Sequence, residues 1–176
     1  LQLLAERKIT RLLINIPPGN GKSLIANVGF SSWMLGREPD SRIVSVSSVD
    51  NLSKDFSLKS RQLMQSDFYR NIFPNSSLRD TSEENNIKSF RLKGGGYRKS
   101  FGIAGGVTGT DADVLIVDDP LDLNSMNSIA MIDKCNAWLT NTGMRRLREK
   151  KDIHKQTIPN IAIVIMQRVA TSDMSG

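Results

Sequence analysis

Arg11-Leu-Leu-Ile-Asn-Ile-Pro-Pro-Gly-Asn-Gly-Lys-Ser23 decides the fold, because it reads as strand, loop and helix start in thirteen consecutive positions. Pro17-Pro18 cannot sit inside a helix, since neither proline has an N–H and each ring clashes with the preceding turn. The apolar run Arg11 to Ile16 therefore predicts a short buried strand. Lys22 to Leu35 follows with apolar residues at 24, 25, 28, 34 and 35 and predicts a helix that opens at the loop. The phosphate-binding pattern G-x-x-x-x-G-K-[ST] asks for glycine at 16, where this chain has isoleucine. The reading of the loop thus leans on a second segment, Val114-Leu-Ile-Val-Asp-Asp119.

That segment is a continuous apolar run ending in two carboxylates, the pattern of a central parallel strand with acids at its carboxyl end, where open α/β sheets bind ligands. Between and beyond the two segments the same alternation continues. Arg42 to Ser47 predicts a strand, and Leu52, Phe56 and Leu63 mark one face of a helix over Asn51 to Gln65. Asn75 to Asn86, rich in Ser, Asn, Asp and Glu, predicts a loop or insertion. Ile87 to Lys93 and Tyr97 to Ala104 predict a hairpin turned by Gly94-Gly-Gly96. Ile129, Ile132, Leu139, Gly143 and Leu147 predict a helix from Ser125 to about Glu149, and Asn160 to Met166 the last strand. The fold class is α/β: a mostly parallel central sheet flanked by helices, with an inserted β-hairpin near 87–104.

Composition narrows the function classes. With 176 residues and 39% hydrophobic content the chain can bury one substantial core. One cysteine, Cys135, excludes an internal disulfide, and one histidine, His154, excludes the usual zinc ligand sets, which points to a reducing, cytoplasmic setting. No apolar stretch approaches the ~18 residues of a membrane span. A net charge of +6 suits a polyanionic partner and equally serves solubility. The chain opens on Leu1 and closes on Met174-Ser-Gly176, which reads as a piece truncated at both ends.

The two segments imply complementary chemistry. Backbone N–H groups of Gly19, Asn20 and Gly21, with the helix start, can wrap the phosphates of a nucleotide. Lys22 would reach the β and γ phosphates, and Ser23 would coordinate Mg²⁺. Asp118 would hold Mg²⁺ through water, and Asp119 would polarise the attacking water, a place where glutamate is commoner. Gln167, at the tip of the last strand, is a candidate γ-phosphate sensor, and Arg168 a candidate phosphate or DNA contact. Each part has a plainer reading. Gly-Asn-Gly can be an ordinary turn with Lys22 solvated, Asp-Asp-Pro an exposed strand end that caps the next helix, and Met166-Gln167-Arg168 a polar strand end.

With these pieces assembled, the chain resembles the large terminase subunit of tailed bacteriophages and prophages, the ATPase that drives DNA into the procapsid. The residues carrying the resemblance are Arg11 to Ser23, Gly94-Gly-Gly96 leading through Gly105-Gly-Val-Thr-Gly109 to Ala112-Asp-Val-Leu-Ile-Val-Asp-Asp-Pro120, Trp138, Ile165-Met-Gln-Arg168 and Ser172 to Gly176. The match is colinear over nearly the whole chain, and Pro-Pro before Gly-Lys-Ser together with Asp-Asp-Pro is more specific than either half alone. The resemblance implies a RecA-like P-loop NTPase of the additional-strand type over 1–176, hydrolysing ATP with Mg²⁺, with a C-terminal nuclease domain outside this chain. It also implies double-stranded DNA, the small terminase subunit and the portal protein as partners, a homo-oligomeric ring, no membrane, and the cytoplasm of a bacterial host.

Many relatives carry arginine where this chain has Gly19 and Thr110, and such an arginine neutralises transition-state charge. Three accounts follow: Arg98 or Arg168 substitutes, a neighbouring subunit supplies one, or the gene has decayed into a remnant that binds DNA or assembles without turnover. Arg98 reads equally as a solvated hairpin charge. A helicase-like nucleic-acid-dependent ATPase is the other enzymatic reading. Tyr97-Arg-Lys99 and Arg145 to Lys151 are the basic clusters that a DNA backbone could meet, the second equally explained by a helix C-terminus. Trp33 and Trp138 read as core or interface residues rather than base-stacking platforms.

Overall fold

The sheet predicted from these patterns is present in the computed structural model, which describes residues 1–80, 86–103, 105–107, 109–121, 128–152, 154–167 and 172–174. Its strands are β1 (Arg11–Asn15), β2 (Arg42–Ser47), β3 (Ser89–Arg91), β4 (Tyr97–Gly102), β5 (Val114–Asp118) and β8 (Ile161–Met166); β6 (Lys150–Lys151) and β7 (Thr157–Ile158) form a separate small hairpin that the sequence did not suggest. The strand order is β1-β8-β5-β2-β4-β3, parallel throughout except for the β3–β4 pair. The chain thus crosses from one strand to its parallel neighbours through helices, and the acid-bearing strand β5 lies in the middle. β8, the last strand in sequence, separates β1 from β5.

Helices cover both faces, which is why β5 has no exposed residue. Val114 and Ile116 point to one face, where they pack with Phe30, Met34, Ile43 and Met64. Leu115 and Val117 point to the other, with Val44, Val46, Val107 and Leu147, under Trp138 and Met144. Trp33 is likewise partly buried against the first cluster, as read from the sequence. The first face is covered by a π-helical segment, Leu24–Phe30, continuing into α2 (Ser31–Arg37), and by α3 (Asp50–Gln65). A four-residue helix, α1 (Gln2–Ala5), precedes β1, and α4 (Asp67–Ile72) follows α3. On the second face α5 (Ile129–Trp138) loosens through the π-helical Leu139–Gly143 and then tightens through the 3-10 turn Met144–Arg146.

Four expectations need correction. β1 is an edge strand, not a buried one: Leu13 is 44% exposed and Ile16 lies beyond the strand, itself exposed. The same apolar run is buried or half-open according to which strands flank it, and β1 has only β8. Leu24 and Ile25 are also exposed, because the π-helical winding turns Ala26 and Asn27 inward in their place. The buried face of α3 is Ser53, Phe56, Ser57, Ser60 and Met64, while Leu52 is exposed, so small hydroxyl residues make the close approach. Finally, the long helix ends at Arg146 rather than near Glu149, and Ile129 is exposed. Arg148 instead donates its N–H to the carbonyl of Ala112, and Leu147 bridges Ala112, which fixes the start of β5. The predicted helix start at Ser125, the strand end at Ala104, Arg168 and most of the stretch from 168 to 176 lie outside the described residues.

Candidate functional site

The loop between β1 and the π-helical segment is shaped by two left-handed glycines. Gly19 and Gly21 have φ of 81° and 68°, a conformation that costs an L-residue about 1–2 kcal/mol, and nothing lies within 4 Å of where a Cβ would stand. Between them Asn20 donates its side-chain N–H groups to the carbonyls of Pro17 and Pro18 at 3.0 and 3.3 Å, closing the loop on itself. The concavity is therefore open on the side of the glycines, and successive backbone N–H groups in such a turn form an anion-binding nest.

Lys22 is buried, which removes the reading of a solvated first-turn lysine. Its Nζ donates to the carbonyl of Ile16 at 3.1 Å and lies 3.2 Å from Asp119 Oδ1. Ser23 Oγ donates to Asp118 Oδ1 at 2.9 Å. The two sequence segments, nearly a hundred residues apart, thus meet through two adjacent pairs of side chains. Gly19, Asn20, Gly21, Lys22, Ser23, Asp118 and Asp119 are brought together at the carboxyl ends of β1 and β5.

Asp118 is fully buried, so it is not an exposed strand end. Burial pushes its carboxyl up to about 6, and the charge of Asp119 adds to this; Ser23, Lys22 and Asn27 pull the other way. Asp119 occupies the left-handed region at φ 40°, uncommon for a residue with a side chain and a recurrent mark of functional sites. Three contacts hold it there: its N–H donates to Ile165 at 2.8 Å, its carbonyl accepts from Ser48 at 3.3 Å, and its Oδ1 accepts the N–H of Gln167 at 3.3 Å. Gln167 is consequently at the site, where with Asn15, Ile16, Pro17 and Pro18 it lines a cavity of about 350 Å³ beside the loop.

One residue of the site escaped the sequence reading. Asn27 donates its Nδ2–H to Asp118 Oδ2 at 2.7 Å, so that Asp118 is gripped on one oxygen by Ser23 and on the other by Asn27. The spacing carried the signal, since Ser23 and Asn27 are four residues apart on one helix and residues at that spacing share a face. No other described acid, cysteine or histidine completes a cage: among the described residues there is no group of three or more that could hold a metal ion. A hydroxyl and one carboxylate fit Mg²⁺ in particular, which keeps waters and takes substrate phosphate oxygens rather than an all-protein shell.

Arg98 is corrected in both of its readings. It is fully buried rather than solvated, and both terminal nitrogens are taken up by internal acceptors, with Nη1 donating to Ser100 Oγ at 2.5 Å and Nη2 to the carbonyl of Asn27 at 3.3 Å. Burial lowers its pKa to about 9, so it stays charged at neutral pH. Thr110 is buried as well. The basic clusters are dispersed: Lys99 and Arg91 lie over the ring of Tyr97, Arg148 pairs with Asp111 at 3.1 Å, and Lys150 with Asp40 at 2.6 Å.

Fold and site together define a mixed α/β protein with a mostly parallel sheet and a polar site at the carboxyl ends of its strands. The architecture is terminase-like: the crystal structure of the HK97 bacteriophage large terminase superimposes over 96% of this chain with a TM-score of 0.60 at 16% identity. The chain spans 32% of the length of that protein. No family model matches the chain, and no curated protein matches it in sequence. Among the described residues, no helix is long and apolar enough to cross a membrane.

Proposed function

We propose that this chain is a P-loop ATPase unit of a phage large terminase, which hydrolyses ATP with Mg²⁺ to move double-stranded DNA. The observation that carries the reading is the direct meeting of Lys22-Ser23 with Asp119-Asp118, at 3.2 and 2.9 Å. The placement of β8 between β1 and β5, which is what an additional-strand ATPase requires, supports it. The partners are those of a packaging motor, namely the small terminase subunit, the portal and further copies in a ring, and the compartment is the host cytoplasm. A nuclease domain belongs to the same reading, outside this chain.

In this mechanism Gly19, Asn20 and Gly21 cradle the triphosphate, and Lys22 exchanges its bonds to Ile16 and Asp119 for phosphate oxygens. Ser23 and Asp118 would hold Mg²⁺, which would supply neutralisation of phosphate charge. Losing Lys22 frees Asp119 Oδ1 to accept a proton from the attacking water while the Gln167 N–H steadies it. Gln167 reports the state of the site into β8 and so into its neighbour β1. With Arg98 buried, the arginine that stabilises transition-state charge comes from Arg168 or from an adjacent copy.

The test is a pair of variants. Lys22→Ala should lose ATP binding, and Asp119→Asn should bind ATP yet hydrolyse it about 10²–10⁴-fold more slowly, the usual contribution of a general base. Hydrolysis retained in purified Asp119→Asn removes the assigned role. Turnover that rises more steeply than protein concentration would identify the arginine as a neighbour's.

A further inference from the structure

Asn27 is held from more directions than a helix-interior asparagine needs. Its side-chain carbonyl accepts from Ser45 Oγ on β2 at 2.5 Å, which fixes the orientation of the amide and aims Nδ2 at Asp118. Its backbone carbonyl accepts from three side chains: Ser31 Oγ, Ser60 Oγ at 3.1 Å and Arg98 Nη2 at 3.3 Å. Asn27, Ser31, Ser45, Ser60, Arg98 and Ser100 are all buried. Four elements therefore converge on one residue whose side chain makes a single bond forward, to the strand-end carboxylate.

Arg98 is the costly member of this cluster. It has no exposed surface, no acidic partner among the described residues, and an Nε without a hydrogen-bond acceptor. Removing a charge from water without a counter-ion is strongly unfavourable, and apolar residues of similar volume would serve packing better. A buried cation kept on these terms is explained by what it does to its neighbour. It anchors the carbonyl of Asn27 where the Leu24–Phe30 segment widens into π-helical winding, a distortion that recurs at functional sites.

We propose that Asn27 is a positioning residue for the metal-binding carboxylate of Asp118, with Ser45 and Arg98 holding Asn27 in place behind it. With Ser23 on Oδ1 and Asn27 on Oδ2, the rotation of the Asp118 carboxylate is fixed. The inference rests on the proposed function, because it assumes that Ser23 and Asp118 bind Mg²⁺ with ATP. Partners that orient a ligating carboxylate are worth about 10–100-fold in metal affinity.

The experiment separates metal from nucleotide. Mn²⁺ binding in the presence of ATP is titrated through the loss of the free-ion electron paramagnetic resonance signal beyond that of a protein-free ATP blank, since ATP alone chelates the ion, and a fluorescent ATP analogue is titrated in EDTA. Asn27→Ala should weaken Mn²⁺ at least about tenfold and leave metal-free nucleotide affinity within about twofold. Arg98→Met keeps the volume and removes the charge. It should weaken Mn²⁺ in the same direction whatever happens to thermal stability, which a purely structural arginine would not do. Should Asn27→Ala fail to fold, Ser45→Ala, which releases the amide that Ser45 orients, carries the same split in the same direction. Unchanged Mn²⁺ affinity in a folded Asn27→Ala, or an equal loss in both titrations, overturns the inference alone. A wild-type chain that binds no Mn²⁺ with ATP overturns the proposed function and this inference with it.

Discussion

The two halves of the site are supported in opposite ways. Lys22 and Ser23 follow an edge strand and an exposed loop, with Leu13 and Ile16 open to solvent. Asp118 ends the central strand, every residue of which is buried, and is gripped on both oxygens. One half can yield to an incoming phosphate, and the other keeps a carboxylate still. On the proposed function, the division suits capture of a flexible polyanion by one half and retention of a cation by the other, since pre-organisation is worth most where charge is concentrated.

The largest effect that would break this comparison is on the core. Leu115→Ala, in the middle of β5, should cost about 2–5 kcal/mol of unfolding free energy, whereas Leu13→Ala on β1 should cost under about 1 kcal/mol. Urea unfolding of the two variants checks this. Equal losses would mean that the edge strand is as firmly held as the centre, and that the contrast between the halves is only apparent.

That contrast marks where the sequence was legible. Val114 to Val117 and Leu12 to Ile14 are alike in composition, and both read as buried strands; only the pairing partners, set by the path of the whole chain, distinguish them. The glycine loop, Lys22, Ser23, Asp118 and Asp119 were readable because each depends on local geometry that a short motif encodes. Asn27 and Arg98 were not, because their roles come from contacts 91 and 71 residues away. Neither residue type signals burial. The buried serines of α3 misled for a related reason. Ser53 and Ser60 are inside because their hydroxyls donate to the carbonyls of Phe101 and Asn27, a satisfaction that hydrophobic periodicity does not register.

Asp118 supplies a pH-dependent version of the comparison, of intermediate size. Its native carboxyl titrates at about 6, against about 3.9 in an unfolded chain. Between those values the folded state binds the extra proton, so stability of the metal-free protein falls as pH rises from about 4 to about 6 and is level above. The total is on the order of 2–3 kcal/mol, and it is unfavourable at pH 7. Asp118→Asn should remove this slope and stabilise the metal-free protein at neutral pH. An amide can still accept from Asn27 and donate to the Ser23 hydroxyl, so no buried group is orphaned. Melting curves in EDTA across that range give the answer, and parallel curves for the two proteins would contradict it.

The smallest effect tests the yielding half. Gly21→Ala adds a methyl group to open space, so the only cost is the left-handed backbone at φ 68°, about 1–2 kcal/mol. A stiff loop would pass that cost to the whole fold, and the unfolding free energy would drop by the same amount. A loop on an exposed edge can relax instead, giving up the cradle rather than the sheet. Global stability should then change by less than about 0.5 kcal/mol. The affinity for ATP should fall about five- to thirtyfold, the equivalent of the same 1–2 kcal/mol. The partition between those two readouts measures how independent the phosphate loop is of the strand that carries it, and a full loss of global stability would place both halves of the site on one rigid body.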